Sequence, residues 1–149
     1  MKHFIFIIVL CGVFFSHTTY IIAPFVTHET VEQKLHKVFG IKFEIAKAVF
    51  MAESSMNNEA KNYNCLYPVK QKDGTTKLKS TFCKKEDKEK AWSVDCGPAQ
   101  INVKGKICPK KLMTLEGSIP TIEKIYKTQG LNAWVAYKTG SYKKYMVNL

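Results

Sequence analysis

The chain contains an apolar helical stripe that ends on a glutamate. Ala46, Val49 and Phe50 lie seven, four and three residues before Glu53, and on a helix these positions share one face with it. A stripe of this kind predicts a helix over about residues 42–54 that packs against the core. A carboxylate on this face is poorly solvated, so we expect its pKa to rise. An acid that keeps its proton near neutral pH suits general acid catalysis; the alternative is a helix-end glutamate turned to solvent.

The charge of the chain is strongly positive. Its 149 residues suit one compact domain, and its 23 basic residues outnumber 12 acids, for a net charge of +11. Every basic residue is lysine. The lack of arginine argues against base readout in nucleic acids, where bidentate arginine is the commonest specific contact. Lysines spread over a surface suit a polyanion or an anionic cell wall instead.

The N-terminus reads as an export signal. Lys2 and His3 precede an apolar run over residues 4–15, which is too short for a comfortable membrane span. We therefore predict a signal peptide over residues 1–18, cleaved after Thr18, and an exported protein, periplasmic or extracellular. Ile21 and Ile22 continue the apolar character, so an uncleaved anchor is the alternative.

Cysteine usage agrees with export. Beyond Cys11, which lies inside the signal, four cysteines remain: Cys65, Cys83, Cys96 and Cys108. An even number in an exported domain predicts two disulfides with three possible pairings, and we favour 65 with 83 and 96 with 108 because each closes a local segment. Four reduced thiols in a cytosolic chain are the alternative. No pair has the tight spacing of a zinc site, so no metal is expected.

Two helices precede the middle of the chain. Thr30 and Gln33 form a capping box that opens the first helix, and Gly40 marks its end. The second is the helix that carries Glu53. Four asparagines between residues 57 and 64 then predict an irregular polar stretch.

A β region is predicted over residues 65–92. Asp73 and Gly74 lie between two arms of strand-forming residues, which indicates a hairpin that turns at this dipeptide. Cys65 and Cys83 flank it, so their disulfide would staple its base. The charged run over 84–90 predicts a solvated loop or helix face.

The remainder reads as helical. A short helix is expected over 109–115 and a longer one from Ser118, with Gly130 as its stop. Another is expected over 131–138, capped by Gly140. Its predicted inward residues are Leu131, Trp134, Val135 and Ala136. The sequence therefore predicts an α+β fold, mostly helical, with a small β-hairpin insertion between the helix of the glutamate and the later helices.

Three polar segments together resemble a known family. The first segment begins with Glu53-Ser54. The second is Asp-Cys-Gly-Pro-Ala-Gln-Ile-Asn over residues 95–102, and the third, over residues 133–141, contains Tyr137. In this order they resemble the lysozyme superfamily, and most closely the small lytic transglycosylases of the soluble lytic transglycosylase type that accompany secretion systems. The resemblance covers about residues 30–145. The chain departs from the family pattern at Pro98 and Ala99, where bulky apolar residues are usual, and at Lys138, which replaces an asparagine.

The resemblance implies a lysozyme-like domain over residues 28–149 that needs no cofactor. It implies cleavage of the β-1,4 bond between N-acetylmuramic acid and N-acetylglucosamine in peptidoglycan, with Glu53 as general acid. In a transglycosylase Glu53 then acts as base, and the muramic 6-hydroxyl closes a 1,6-anhydro end. In a hydrolytic lysozyme Asp95 and a water would complete the reaction. The segment around Tyr137 favours the transglycosylase.

The other candidate site residues carry alternatives of their own. Asp95 is either catalytic or a turn residue that binds local backbone donors. Gln100 and Asn102 can bind sugar amides and hydroxyls, or hold their own loop together. Tyr137 can orient the catalytic glutamate or belong to the core. Ser54 can bind substrate or the glutamate, or simply end its helix.

Expected partners follow from the same reading. They are peptidoglycan glycan strands and a secretion or conjugation apparatus, with no nucleic acid and with membrane contact only through the signal or anchor; the protein is expected to be a monomer. Two other functions stay open. One is a catalytically weak, cationic cell-wall-binding protein. The other is a cationic protein that disrupts membranes, although no long segment is both strongly basic and amphipathic.

Overall fold

Helices and one sheet make up the α+β fold. In the computed structural model, residues 28–146 are described, so the predicted signal or anchor lies outside the described residues. The elements in chain order are α1 (Val31–Phe39), α2 (Phe43–Ser54), β1 (Lys61–Lys70), β2 (Thr76–Phe82), β3 (Ser93–Cys96), β4 (Ile101–Lys104), α3 (Leu115–Gln129), α4 (Val135–Thr139) and α5 (Lys143–Met146). Within this stretch of the chain, no helix combines the length and the apolar character that a membrane crossing requires.

The first two helices match their predictions closely. The Gln33 amide donates to Thr30 Oγ1 at 3.2 Å, and the Thr30 amide donates to Gln33 Oε1 at 2.8 Å, which confirms the capping box. Gly40 ends α1 with a φ of 54°. In α2 the predicted stripe of Ala46, Val49 and Phe50 is fully buried. Ser55 ends this helix in the left-handed conformation.

The later helices hold the predicted positions with two corrections. The segment over 109–115 forms a single 3₁₀ turn, Lys110–Met113, and the predicted helix over 131–138 is split. A 3₁₀ turn over Gly130–Ala133 precedes Trp134, whose extended backbone starts α4. Trp134 is buried as predicted, but Val135 is 60% exposed, so its inward placement was wrong. The break in the helix changes the direction in which residue 135 points.

The core lies between the helices and one face of the sheet. The ring of Phe50 meets Trp134 edge-on, with 5.4 Å between the centroids. The Trp134 indole N–H also donates to the carbonyl of Ala99 at 2.8 Å. This bond joins the start of α4 to the turn between β3 and β4, so the helices and the sheet share one packed core.

The sheet is larger than the predicted hairpin. Four antiparallel strands run in the order β2-β1-β3-β4. The β1–β2 turn falls at Asp73 and Gly74 as predicted, with Asp73 Oδ1 accepting from the Thr75 amide at 3.0 Å. The sequence did not predict β3 and β4, and it placed Asn62 and Asn64 in an irregular stretch although both belong to β1.

Both favoured disulfides are confirmed. One joins Cys65 to Cys83 across the base of the β1–β2 hairpin, and the other joins Cys96 of β3 to Cys108. Two disulfides are typical of an oxidising, exported compartment. The second bond fixes the end of β3 to the segment that leads into α3.

Strand alternation gives the sheet two different faces. The register pairs Asn62 with Asp95 and Asp95 with Asn102, so these polar side chains share one face. Val94, Cys96 and Ile101 point the other way and are buried in the core. The polar face is therefore free to form the wall of a cleft.

Candidate active site

A cleft of about 860 Å³ separates the helices from the polar face of the sheet. One wall comes from the ends of α2 and α3 and the start of α4; the other comes from all four strands. Its polar lining residues include Glu53, Asn62, Asn64, Asp95, Gln100 and Asn102. The cleft thus brings together four of the six site residues predicted from the sequence.

Glu53 lies in the last turn of α2 and is half-buried. Its Oε1 accepts a hydrogen bond from the backbone amide of Ala136 at 2.7 Å. Burial raises the pKa of the carboxyl above its usual value of 4.5. The amides of Ala136 and Val135 and the charge of Lys138 lower the pKa, the charge of Asp95 raises it, and the net shift is upward. The upward shift of the pKa agrees with the expectation from the apolar stripe, and the role of Glu53 as a general acid stays a prediction.

The start of α4 fixes the direction of the glutamate. Amides at the beginning of a helix have no partner inside the helix, so they are free to bind a carboxylate. Here they come from residues 135 and 136, more than eighty positions along the chain from the acid they bind. They orient the carboxyl and also stabilise it once the proton has left.

Asp95 lies in the middle of β3 and faces the cleft. Its Oδ2 accepts from the side-chain amide of Asn64 at 2.9 Å, and its Oδ1 accepts from that of Asn102 at 2.6 Å. Asn102 is also held by the hydroxyl of Ser93 at 3.0 Å. The donors to Asp95 are side chains of neighbouring strands, so the alternative of a turn residue bound to local backbone is wrong. The carboxylate is fixed on the wall opposite Glu53.

Gln100 both lines the cleft and holds its own loop. Its amide nitrogen donates to the carbonyl of Gly97 at 2.8 Å, while its Oε1 accepts from Asn62 at 2.7 Å. Its backbone has a φ of 48°, which is uncommon for a residue with a side chain. The turn between β3 and β4 therefore presents this side chain at a fixed angle.

Ser54 and Tyr137 are not among the residues that line the cleft. The Ser54 hydroxyl donates to the carbonyl of Pro98 at 2.7 Å, which ties α2 to the β3–β4 turn. Tyr137 is half-buried and stacks on Tyr142 with 5.2 Å between the ring centroids. The segment around Tyr137 contacts Glu53 through the backbone amides of Val135 and Ala136 instead.

Sequence reasoning missed several contributors to the site. Asn62 and Asn64 belong to the cleft wall, and Asn64 holds Asp95. Their spacing of two is a strand signal, but the surrounding asparagines masked it. The amides of Val135 and Ala136 carry no sequence signal, since every residue other than proline has a backbone N–H.

The acidic, histidine and cysteine side chains of residues 28–146 are of the types that hold metal ions in proteins. No group of three His, Cys, Asp or Glu side chains in that range is placed to hold a metal ion. No protein-family model, curated protein or solved structure matches the chain. The polar side chains that line the cleft include two carboxyl groups, Glu53 and Asp95, and several side-chain amides.

Proposed function

We propose that the protein is a muramidase that cleaves peptidoglycan, and specifically a lytic transglycosylase with a lysozyme-like domain over residues 28–149. The bond that it cleaves would be the β-1,4 link between N-acetylmuramic acid and N-acetylglucosamine. The observation that carries the proposal is Glu53, a half-buried acid with a raised pKa that shares a cleft of about 860 Å³ with Asp95. The ordered resemblance of three segments to lytic transglycosylases adds support.

The first step is proton transfer to the leaving group. The alkoxide released from a glycosidic bond is a poor leaving group, so it must be protonated as the bond breaks. Glu53 gives its proton to the glycosidic oxygen, the bond to the anomeric carbon breaks, and positive charge develops on the muramic ring. The Ala136 and Val135 amides then stabilise the Glu53 carboxylate.

The second step returns the proton. The Glu53 carboxylate takes the proton of the muramic 6-hydroxyl as that oxygen bonds to the anomeric carbon. A 1,6-anhydro ring forms, no water is consumed, and the glutamate regains its acidic form. One residue thus serves as acid and then as base, which its raised pKa and amide partners allow.

A hydrolytic lysozyme is the second candidate, and Asp95 is the observation that favours it. Its carboxylate faces the cleft and is held by Asn64 and Asn102. An oriented carboxylate there would stabilise the developing positive charge while water attacks the anomeric carbon. The two candidates share Glu53 and differ in their product.

The decisive experiment removes the proton of the glutamate and keeps its shape. Glu53→Gln should slow the clearing of purified peptidoglycan about 10³-fold, the range for loss of a general acid, because an amide cannot give that proton. Glu44→Gln is the matched control, since it is the same substitution in the same helix at an exposed position. Equal clearing by both variants would refute the catalytic proposal and favour a cationic wall-binding protein.

Product analysis separates the two enzymes. Mass spectrometry of the released muropeptides should find 1,6-anhydro-muramic ends for the transglycosylase and reducing ends for the lysozyme. Asp95→Asn should abolish hydrolysis if Asp95 stabilises the charged intermediate. Anhydro products that survive this substitution would assign Asp95 a positioning role.

The biological setting is also a proposal. A net charge of +11 suits docking onto an anionic wall, and salt should weaken that docking. The two disulfides fit a periplasmic or extracellular protein. We infer that the protein acts on glycan strands as a monomer and that it works together with a secretion or conjugation apparatus. Membrane contact would occur only through residues 1–18.

A further inference from the structure

The cleft face of the sheet changes character along the β1–β2 hairpin. Near Glu53 it carries asparagines and Asp95. The register then pairs Asn64 with Phe82, Leu66 with Ser80, and Pro68 with Leu78, so all of these side chains share the cleft face. Beyond the Cys65–Cys83 disulfide this face therefore becomes apolar.

The apolar stretch of this face is open to solvent. Phe82 and Leu78 are each 66% exposed, and Leu66 is exposed as well. Trp92 joins them, because its indole N–H donates to the hydroxyl of Ser80 at 3.2 Å. We call Leu66, Leu78, Phe82 and Trp92 the apolar arm.

The opposite face of the hairpin is covered differently. The Tyr67 hydroxyl donates to Asp87 at 2.8 Å and accepts from the Lys84 amide at 3.0 Å. These bonds hold the 3₁₀ turn over Lys85–Lys90 against that side. Most of the exposed apolar surface of the hairpin thus lies on the side that continues the cleft, while Val69 on the other face is 39% exposed.

The arm and the cleft form one continuous surface. Ser80, Thr81 and Phe82 already line the cleft together with Glu53 and Asp95. From Phe82 to Leu78 the strand extends about 14 Å at about 3.4 Å per residue. A chain that leaves the cleft along β2 would therefore pass over the arm.

We propose that the apolar arm, which begins at the cleft with Phe82 and continues beyond it to Leu66 and Leu78, binds the sugar rings of a glycan strand and makes the protein prefer long strands to short oligomers. This inference rests on the proposed function. A pyranose ring has C–H groups on its faces and hydroxyls at its edges, so its faces pack on aromatic and aliphatic side chains. Side-chain amides near Glu53 bind polar edges, and the arm binds ring faces farther along the strand.

The test compares long strands with short oligomers in the Glu53→Gln protein, which binds without cutting. The probes are peptide-free glycan strands, either long or only long enough to fill the cleft, and calorimetry measures both affinities. Leu66→Ser and Leu78→Ser should each reduce the preference for long strands about ten-fold, an effect typical of one lost packing contact, because both residues are exposed and neither lines the cleft. Ile41→Ser is the matched control, because Ile41 is an exposed apolar residue in the Gly40–Lys42 turn.

Three results would overturn the inference or the function beneath it. If both arm variants keep the preference of Ile41→Ser, the arm does not bind glycan. If they instead lose binding to phospholipid vesicles and keep the preference, the arm binds membrane. If Glu53→Gln binds neither short nor long strands and the wild type clears no peptidoglycan, the proposed function itself fails. Thermal melting checks that each variant is folded, and the disulfide at the hairpin base favours that result.

Discussion

The helices and the sheet of this protein differ in how they use their apolar residues. Among the helices, Val49, Phe50 and Ile122 are completely enclosed. In the sheet, β3 is mostly buried and β4 buries Ile101 alone, whereas every residue of β2 is exposed. The comparison teaches that the helices fix one acid in place, while the sheet presents a broad surface along which a polymer can lie.

The two tryptophans of the chain offer the sharpest contrast. Trp134 is 3% exposed and bonds Ala99, whereas Trp92 is 40% exposed at the hairpin. Trp134→Ala should lower the free energy of unfolding by about 3–5 kcal/mol, because it empties the core and leaves a carbonyl unpaired. Trp92→Ala should cost less than about 1 kcal/mol. Urea unfolding measures both, and equal losses would contradict the division into packed helices and an exposed hairpin.

The two disulfides extend this contrast. Chain entropy alone predicts a slightly larger stabilisation from the Cys65–Cys83 disulfide, since its cysteines are 18 residues apart and those of Cys96–Cys108 are 12 apart. Cys96 packs within the main hydrophobic cluster, however, whereas Cys65 is buried apart from that cluster. Replacing either pair with alanine should cost about 3 kcal/mol, with the larger loss for the 96–108 pair. A larger loss for the hairpin bond would mean that the hairpin supports the core.

Two asparagines of β1 allow a buried polar contact to be compared with an exposed one. Asn64 is buried and holds Asp95, whereas Asn62 is exposed and holds Gln100. Asn64→Ala should cost about 1–3 kcal/mol, because a half-buried carboxylate loses a donor. Asn62→Ala should stay within about 0.5 kcal/mol. Thermal melting of both variants at one pH is the measurement, and a cost for Asn62 equal to that for Asn64 would contradict it.

The smallest expected effect on stability concerns Glu53 and depends on pH. Well below the usual glutamate pKa of 4.5, the folded and unfolded states are both protonated. As pH rises, the glutamate ionises first in the unfolded state while it keeps its proton in the folded state. Ionisation therefore stabilises the unfolded state and lowers the free energy of unfolding. Glu53→Gln should therefore melt at a higher temperature than wild type at neutral pH.

That advantage should disappear on acidification below the ordinary pKa. An advantage that grows toward acid would mean that the folded pKa of Glu53 is lowered rather than raised. The cleavage rate tests the same group, because a general acid must be protonated. It should fall as pH rises through the Glu53 pKa, which lies above that of an ordinary glutamate.

Local patterns predicted much of the fold. The Thr30–Gln33 box, the buried stripe of α2 and the turn at Asp73 each depend on residues within a few positions of one another. The favoured cysteine pairs were also local, since each closes a short segment. Such features can be predicted from the sequence because the spacing along the chain determines which residues interact.

Non-local partners explain what was missed. The run Cys-Gly-Pro-Ala between residues 96 and 99 has no strand alternation, so the sequence did not predict β3, which pairs with β1, or β4, which pairs with β3. Val135 was assigned inward from an unbroken helical period, but Trp134 interrupts the helix. Tertiary packing overrode local propensity in both places.

The sequence by itself determined that one acid lies on an apolar helical stripe, where burial raises its pKa. Only the tertiary structure decided what surrounds that acid: amides from the start of α4, Asp95 on the opposite wall, and the arm beyond. The physical reason is distance along the chain. A stripe is set by neighbours three and four residues away, whereas a cleft forms between segments that meet only when the whole core is packed.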